Sequence, residues 1–442
     1  MTAASLAYRP NVRAPHVTRA GAESRLLTAA LAVYAVLILS ISPFALSALG
    51  FDYGDAGGNV LTKFHPATFF ICLLALAAAC GTGDPLSAVV RAFHETPAAL
   101  FMIGAVLIAS AQAIMVTKIP FTPLIETFLP APLVLLLLRV IPERRGRTLA
   151  LLLHALLIGN AVLGIGEFLT GWRLTPFVID GEDLNYEWRA TALLGHPLAN
   201  AMLTGTYIVI LAVGGGRDLR PLVRAAAFVT CLASMAAFGG RGATVLALLT
   251  LALIAGRRLL AVLNGGHLDT RAMMAAIVAV PVAGVGLLLL AHSNFFERIL
   301  DRFADDTGSA QTRWDMLELA GRIPLSDFLF APDHRQVLTW QGILGLERGI
   351  ESFWLSMALS YGLIVSGIVF VALFAHGWTI VRRCRPGAVW PLLYFLAVAT
   401  TSLSLGGKSS VLTIATFLVL VLLRPFAPAR ALPAAAYLAR RR

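Results

Sequence analysis

The side chains in this 442-residue chain with the clearest chemical potential are a few charged or polar residues set among apolar ones. Arg241 is the only charge between Arg224 and Arg257 and sits midway along that stretch. A charge at bilayer depth costs at least ~2.5–3.5 kcal/mol on insertion scales, so a retained one faces a protein-lined cavity or snorkels to headgroups. In a cavity, such a charge handles an ion or a substrate. Arg189 precedes the polar stretch Thr191 to Asn200, where His196 and Pro197 interrupt an apolar run. Pro197 disrupts local helix bonding and invites polar neighbours, so His196 either lines the cavity or serves in packing. Glu351 stands just ahead of another apolar run. Its bland reading is an acidic cap at a helix N-terminus. Arg313 and Lys408 are candidates of lower rank, with surface ion pairing and snorkelling as their ordinary alternatives.

The elements that must position these residues follow from composition. The chain is 58% hydrophobic and only 13% charged. Apolar runs near the ~20 residues needed to cross a bilayer recur along its length, which defines a polytopic all-α membrane protein. Twelve spans are expected, near 26–48, 65–82, 97–116, 122–139, 148–169, 191–213, 225–239, 242–256, 272–291, 352–375, 387–404 and 409–424. Pro123, Pro130 and Pro132 should bend the fourth or leave it partly interfacial.

Charge segregation fits that count. With the N-terminus inside, the inner segments hold 23 basic and 6 acidic residues, or +17, leaving −6 outside and returning the net +11. This is the positive-inside pattern, and it accounts for the basic character without nucleic acid. The expected organisation is a cytoplasmic tail (1–25), nine spans (26–291), a large outer loop (292–351), three spans (352–424) and a cytoplasmic tail (425–442). Both arms of the hairpin between Arg224 and Arg257 have about 16 residues, roughly 24 Å of helix, which places Arg241 slightly below the outer surface. Within the loop, 295–303 and 312–320 have amphipathic helical patterns, with Thr312 as cap of the second. Cys72, Cys80, Cys231 and Cys384 form no CxxC or Cys/His cluster, and neither a metal nor a cofactor is expected.

Several of these motifs resemble the bacterial O-antigen ligase and O-antigen polymerase superfamily, with its related exopolysaccharide polymerases. Arg189 and the run Gly195 to Ala201 resemble that family's arginine followed by a glycine and a proline-asparagine element. Gly240-Arg241-Gly242-Ala243 resembles its arginine-glycine-alanine span entry, and a large outer loop followed by a span is shared. At the loop-to-span junction the spacing to Leu355 and Gly362 matches the ligases, but Glu351-Ser352 stands where they carry His-Asn. That departure points to the polymerase or exopolysaccharide branch. The resemblance covers roughly 148–424.

It implies a GT-C-like, metal-independent, inverting glycosyltransferase in the bacterial inner membrane, with a periplasmic active site. The donor would be a glycan on undecaprenyl pyrophosphate, and the acceptor a lipid-linked glycan; a chain-length regulator and export machinery are possible partners. Arg189 and Arg241 would clamp the pyrophosphate, Glu351 would be the base, and Arg313, His196 and Lys408 would contact substrate. Stabilising the departing charge is the main chemical demand. The alternatives are a ligase acting on lipid A-core and, in another class, a flippase for the same lipid-linked glycan. A transporter would favour ionisable or broken-helix features near the midplane and repeat symmetry, whereas the charges here cluster towards the outer side.

Overall fold

The computed structural model describes residues 16–54, 59–81, 83–176, 189–265, 309–346 and 349–425, together with the short antiparallel strands β1 (Val178–Ile179) and β2 (Glu182–Asp183). The first helices are α1 (His16–Ser40), α2 (Pro43–Ala48), α3 (Pro66–Cys80), α4 (Pro85–Glu95), α5 (Pro97–Gln112, continued as a π turn to Thr117), α6 (Thr122–Phe128), α7 (Pro130–Leu138) and α8 (Glu143–Thr170). Next come α9 (Pro197–Ala212), α10 (Pro221–Phe238) and α11 (Arg241–Leu263). The region expected as a large outer loop supplies α12 (Ser309–Arg322), α13 (Leu325–Phe330) and α14 (His334–Ile343). The last four are α15 (Phe353–Tyr361), α16 (Leu363–Arg383), α17 (Val389–Thr400) and α18 (Val411–Leu422). Proline opens α2 to α5, α7, α9 and α10, where its missing N–H would have no helical partner anyway.

The chain is helical and membrane-spanning, but the twelve-span, GT-C-like expectation is overturned. Among the described residues, five helices are long and apolar enough to cross a membrane: Pro97–Thr117, Glu143–Thr170, Pro221–Phe238, Arg241–Leu263 and Leu363–Arg383. A sixth is reached only by counting α3 and α4 together, although they bend by 106°. The expected runs were apolar for long enough; their backbones are not helical for long enough. Ser42 ends the first run by capping α2. The break ahead of Pro130 splits the fourth, as its prolines predicted, and Gly362, at φ +78°, splits the tenth. Residues 189–196 are not helical, which leaves α9 with 16 residues, and α17 and α18 have 12 each. The expected span at 272–291 and the amphipathic segment 295–303 lie outside the described residues. The second amphipathic segment is helical, but it begins at Ser309, so Thr312 is inside α12 rather than its cap.

The core is built around α18, where every residue but Leu420 is buried, against α7, α8, α9, α16 and α17. In lipid the driving force for such packing is close contact rather than release of water, and small residues permit it. Gly240 at the head of α11 packs so closely onto Ala201 of α9 that a Cβ there would stand 2.6 Å from the alanine methyl. The cap formed by α12 to α14 has its own small core of Met316, Leu319, Ile323, Val337, Leu346 and Ile350, completed by Leu359 of α15. There burial from water applies, at ~1.5–3 kcal/mol for each fully buried large aliphatic side chain. Gln112 Nε2 of α5 donates to the Phe330 carbonyl at 2.8 Å, and Gly362 lies against that same carbonyl, which seats the cap on the bundle.

Arginines latch the end of the bundle opposite the site. Arg424 pairs with Asp218 at 3.2 Å, Arg139 with Glu95 at 2.7 Å, and the Arg385 backbone N–H donates to the Leu423 carbonyl. Arg383 donates to the Glu95 carbonyl and, at 2.9 Å, to Thr96 Oγ1.

Candidate functional site

The site grows from the non-helical segment 189–196. Its backbone polar groups would be unsatisfied in an apolar setting, and three side chains from α8 and α9 take up several of them. Glu167 Oε2 accepts the Thr191 and Ala192 N–H groups, each at 2.8 Å, while Oε1 accepts that of Leu174 at 2.8 Å. Asn160 Oδ1 accepts the Leu193 N–H at 3.0 Å, and its amide donates to Asn200 Oδ1 at 2.9 Å. Asn200 donates back to the Thr191 carbonyl at 2.6 Å. This frame holds Ala192 at φ +40°, a left-handed conformation that a residue with a Cβ adopts only when its surroundings demand it.

Arg189 and His196 stand at the two ends of this held segment, both half-buried. Arg189 is close enough to His196 to act on it electrostatically. His196 also caps α9, its Nδ1 accepting the Leu198 N–H at 3.2 Å. The Ala190 N–H donates to the Ala237 carbonyl at 3.0 Å, tying the Arg189 segment to the last turn of α10. That helix ends at Gly239 in the left-handed conformation, so Gly239-Gly240-Arg241 forms the expected turn and Arg241 begins α11.

A second centre lies under the cap. A cleft of about 490 Å³ is lined by Arg313 of α12, Glu351 and Ser352 before α15, and Thr400 and Thr401 at the end of α17. The rest of its wall is apolar: Met316, Leu317, Phe328, Trp354, Leu355, Ala358, Leu363 and Phe370. Arg313 and Glu351 are both exposed. Glu351 is one residue outside the N-cap position, which Ser352 holds without a side-chain cap bond. Trp354 is fixed by its Nε1 donating to Thr400 Oγ1 at 2.9 Å and by stacking on Phe374.

The two centres adjoin through α11 and α17. A Cβ on Gly242 would stand 3.8 Å from Thr401 Oγ1, and Tyr394 of α17 donates its hydroxyl to the Ala243 carbonyl at 3.1 Å. Arg241 therefore begins its helix beside the Thr401 wall without being part of the cleft lining. Of the six residues singled out in the sequence, Arg313 and Glu351 share the cleft, and Arg189, His196 and Arg241 gather on the adjoining frame.

Lys408 is elsewhere. Its Nζ donates to the carbonyls of Tyr53 at 2.6 Å and Lys63 at 3.2 Å and lies 5.0 Å from the Tyr53 ring centre. It pins the loop between α2 and α3 onto the bundle, alongside Thr127, whose hydroxyl donates to the Gly407 carbonyl at 2.7 Å.

Sequence reasoning missed the cleft residues Trp354, Thr400 and Thr401. The available signal was an indole two residues after an acid-serine junction and a threonine pair closing an apolar run. Asn160 and Glu167 were not among the residues singled out either, although a buried carboxylate in an apolar helix must find donors.

Fold and site define a helical, membrane-spanning protein with a charged, half-apolar cleft beneath a small helical cap. No known protein family, characterised protein or solved structure matches the chain.

Proposed function

We propose that the protein is a polysaccharide polymerase, transferring a glycan from undecaprenyl pyrophosphate to a lipid-linked glycan acceptor at the periplasmic face of the bacterial inner membrane. One observation supports this reading: Glu351 and Arg313 line the same cleft, with Ser352, Thr400 and Thr401 and an otherwise apolar wall. That is the division of chemistry an amphiphile with an anionic head requires. The motif resemblance at Arg189, Arg241 and the Glu351 junction supplies the donor class.

In this scheme Glu351 accepts the proton of an acceptor hydroxyl as its oxygen bonds to the anomeric carbon of the donor. The bond from that carbon to the pyrophosphate oxygen breaks with its electron pair, and undecaprenyl pyrophosphate departs. Direct displacement inverts the anomeric centre. Arg313 pairs with the developing phosphate charge in the cleft, and Arg241 supports it from beyond Thr401. Arg189 and His196 complete the cationic and polar frame.

Reconstitution with a purified lipid-linked repeat unit tests the reading. Longer lipid-linked chains and released undecaprenyl pyrophosphate are expected without nucleotide and in the presence of a metal chelator. Transfer to added lipid A-core instead would identify a ligase, and movement across the bilayer without a new glycosidic bond would replace the enzyme by a transporter.

A further inference from the structure

At the arginine-latched end of the bundle, α4 turns away from α3 by 106° and leaves an apolar stripe uncovered. Leu86, Val89, Val90 and Phe93 are 73, 50, 48 and 60% exposed. Their spacing puts them on one helical face, while buried Ala92 meets the bundle and exposed Arg91 and Glu95 lie off the stripe.

The helix is held in this attitude at both ends. Asp84 Oδ1 accepts the Leu86 and Ser87 N–H groups at 3.0 and 3.1 Å, ahead of Pro85 in the first turn. At the other end Glu95 pairs with Arg139, and Arg383 donates to the Glu95 carbonyl and the Thr96 hydroxyl. Arg139 and Arg383 close the ends of α7 and α16, so α4 sits at the level where those helices leave the apolar region.

We infer that α4 lies in the plane of the membrane, its Leu86–Phe93 stripe sunk at the boundary between headgroups and acyl chains and Arg91 at headgroup level. A helix with an apolar stripe, a charged opposite side and a bend away from the spanning direction has this surface as its low-energy solvent. Exposed Arg91 suits a lipid phosphate. Docking of another protein would leave Arg91 and its neighbours unexplained, and continuation of α3 across the bilayer would carry Arg91, Glu95 and the Glu95–Arg139 pair into hydrocarbon.

The full chain in lipid nanodiscs, with its four cysteines replaced and single spin labels placed at positions 86 to 95, gives the test. Collision with oxygen should peak at 86, 89, 90 and 93, and collision with an aqueous nickel chelate at 87, 91 and 95, with helical period. Uniform aqueous access overturns the inference, as does uniform oxygen access without chelate, which would mean a crossing segment. If the cysteine-free chain fails to fold, a photoreactive residue at 90 or 93 of the otherwise native chain substitutes for the label. Lipid adducts at these positions and none at 91 are then expected; adducts to protein would overturn the inference.

Discussion

The Glu167 carboxylate accepts the backbone N–H of Thr191 at 2.8 Å, so an acid near the end of α8 fixes the stretch between Arg189 and His196. Glu167 is almost wholly buried, and both its oxygens are occupied by backbone donors. Its role is to hold the frame, which makes it separable from the chemistry of the cleft.

Glu167→Gln keeps the volume but gives up one accepting oxygen. With hydrogen bonds to a charged group worth about 1.5–3 kcal/mol each, the variant should lose roughly 2 kcal/mol or more. Thermal unfolding in detergent should report a lower midpoint, with faster proteolysis between 171 and 190. A midpoint equal to that of the unsubstituted protein would mean that Glu167 does not organise this segment.

Lys408→Met should lower stability by removing the cation that the Tyr53 and Lys63 carbonyls share. The KM for the lipid-linked donor should stay within about twofold, because Lys408 is committed to the loop. A tenfold rise in KM at unchanged stability would restore it as a substrate contact.

How far the sequence reached is clearest at these residues. Apolarity reports the solvent a segment prefers, so the membrane class and most helix positions were legible. It says nothing of backbone continuity. Pro130 announced a break, whereas Gly362 did so only through a positive φ and a close backbone neighbour. Arg313 and Glu351 were singled out separately, and their meeting depends on how the cap packs on α15. The partners of Lys408 were not legible because they are main-chain carbonyls from a distant loop, and carbonyls carry no sequence signature.

Asp218 and Arg424 form an ion pair with side chains only 11 and 14% exposed. Removing either partner strands the other, at a cost of about 3–5 kcal/mol. Asp218→Asn and Arg424→Met should therefore each destabilise more than the two together, measured as a double-mutant cycle on unfolding. Additive losses would show that the contact carries no coupling.

Glu351→Gln should abolish turnover and leave donor binding intact, since the amide cannot take the proton. Arg313→Ala should weaken donor binding and lower kcat, and Arg313→Lys should recover part of the loss, a point charge replacing a bidentate fork. Single-turnover assays with a labelled donor check both, and near-normal rates for Glu351→Gln would remove it as the base.

The Phe330 carbonyl is held from two sides, by the Gln112 amide and by the Gly362 backbone, at the joint between α15 and α16. Phe328 of the cleft wall stands two residues from that clamp, and Leu363 directly follows it. Arg313 and Glu351 stand beside Met316 and Ile350, which pack in one small core. The cleft is thus braced twice, at Phe330 by the clamp and at Ile350 by that core, so its opening is set by how the cap seats on the bundle.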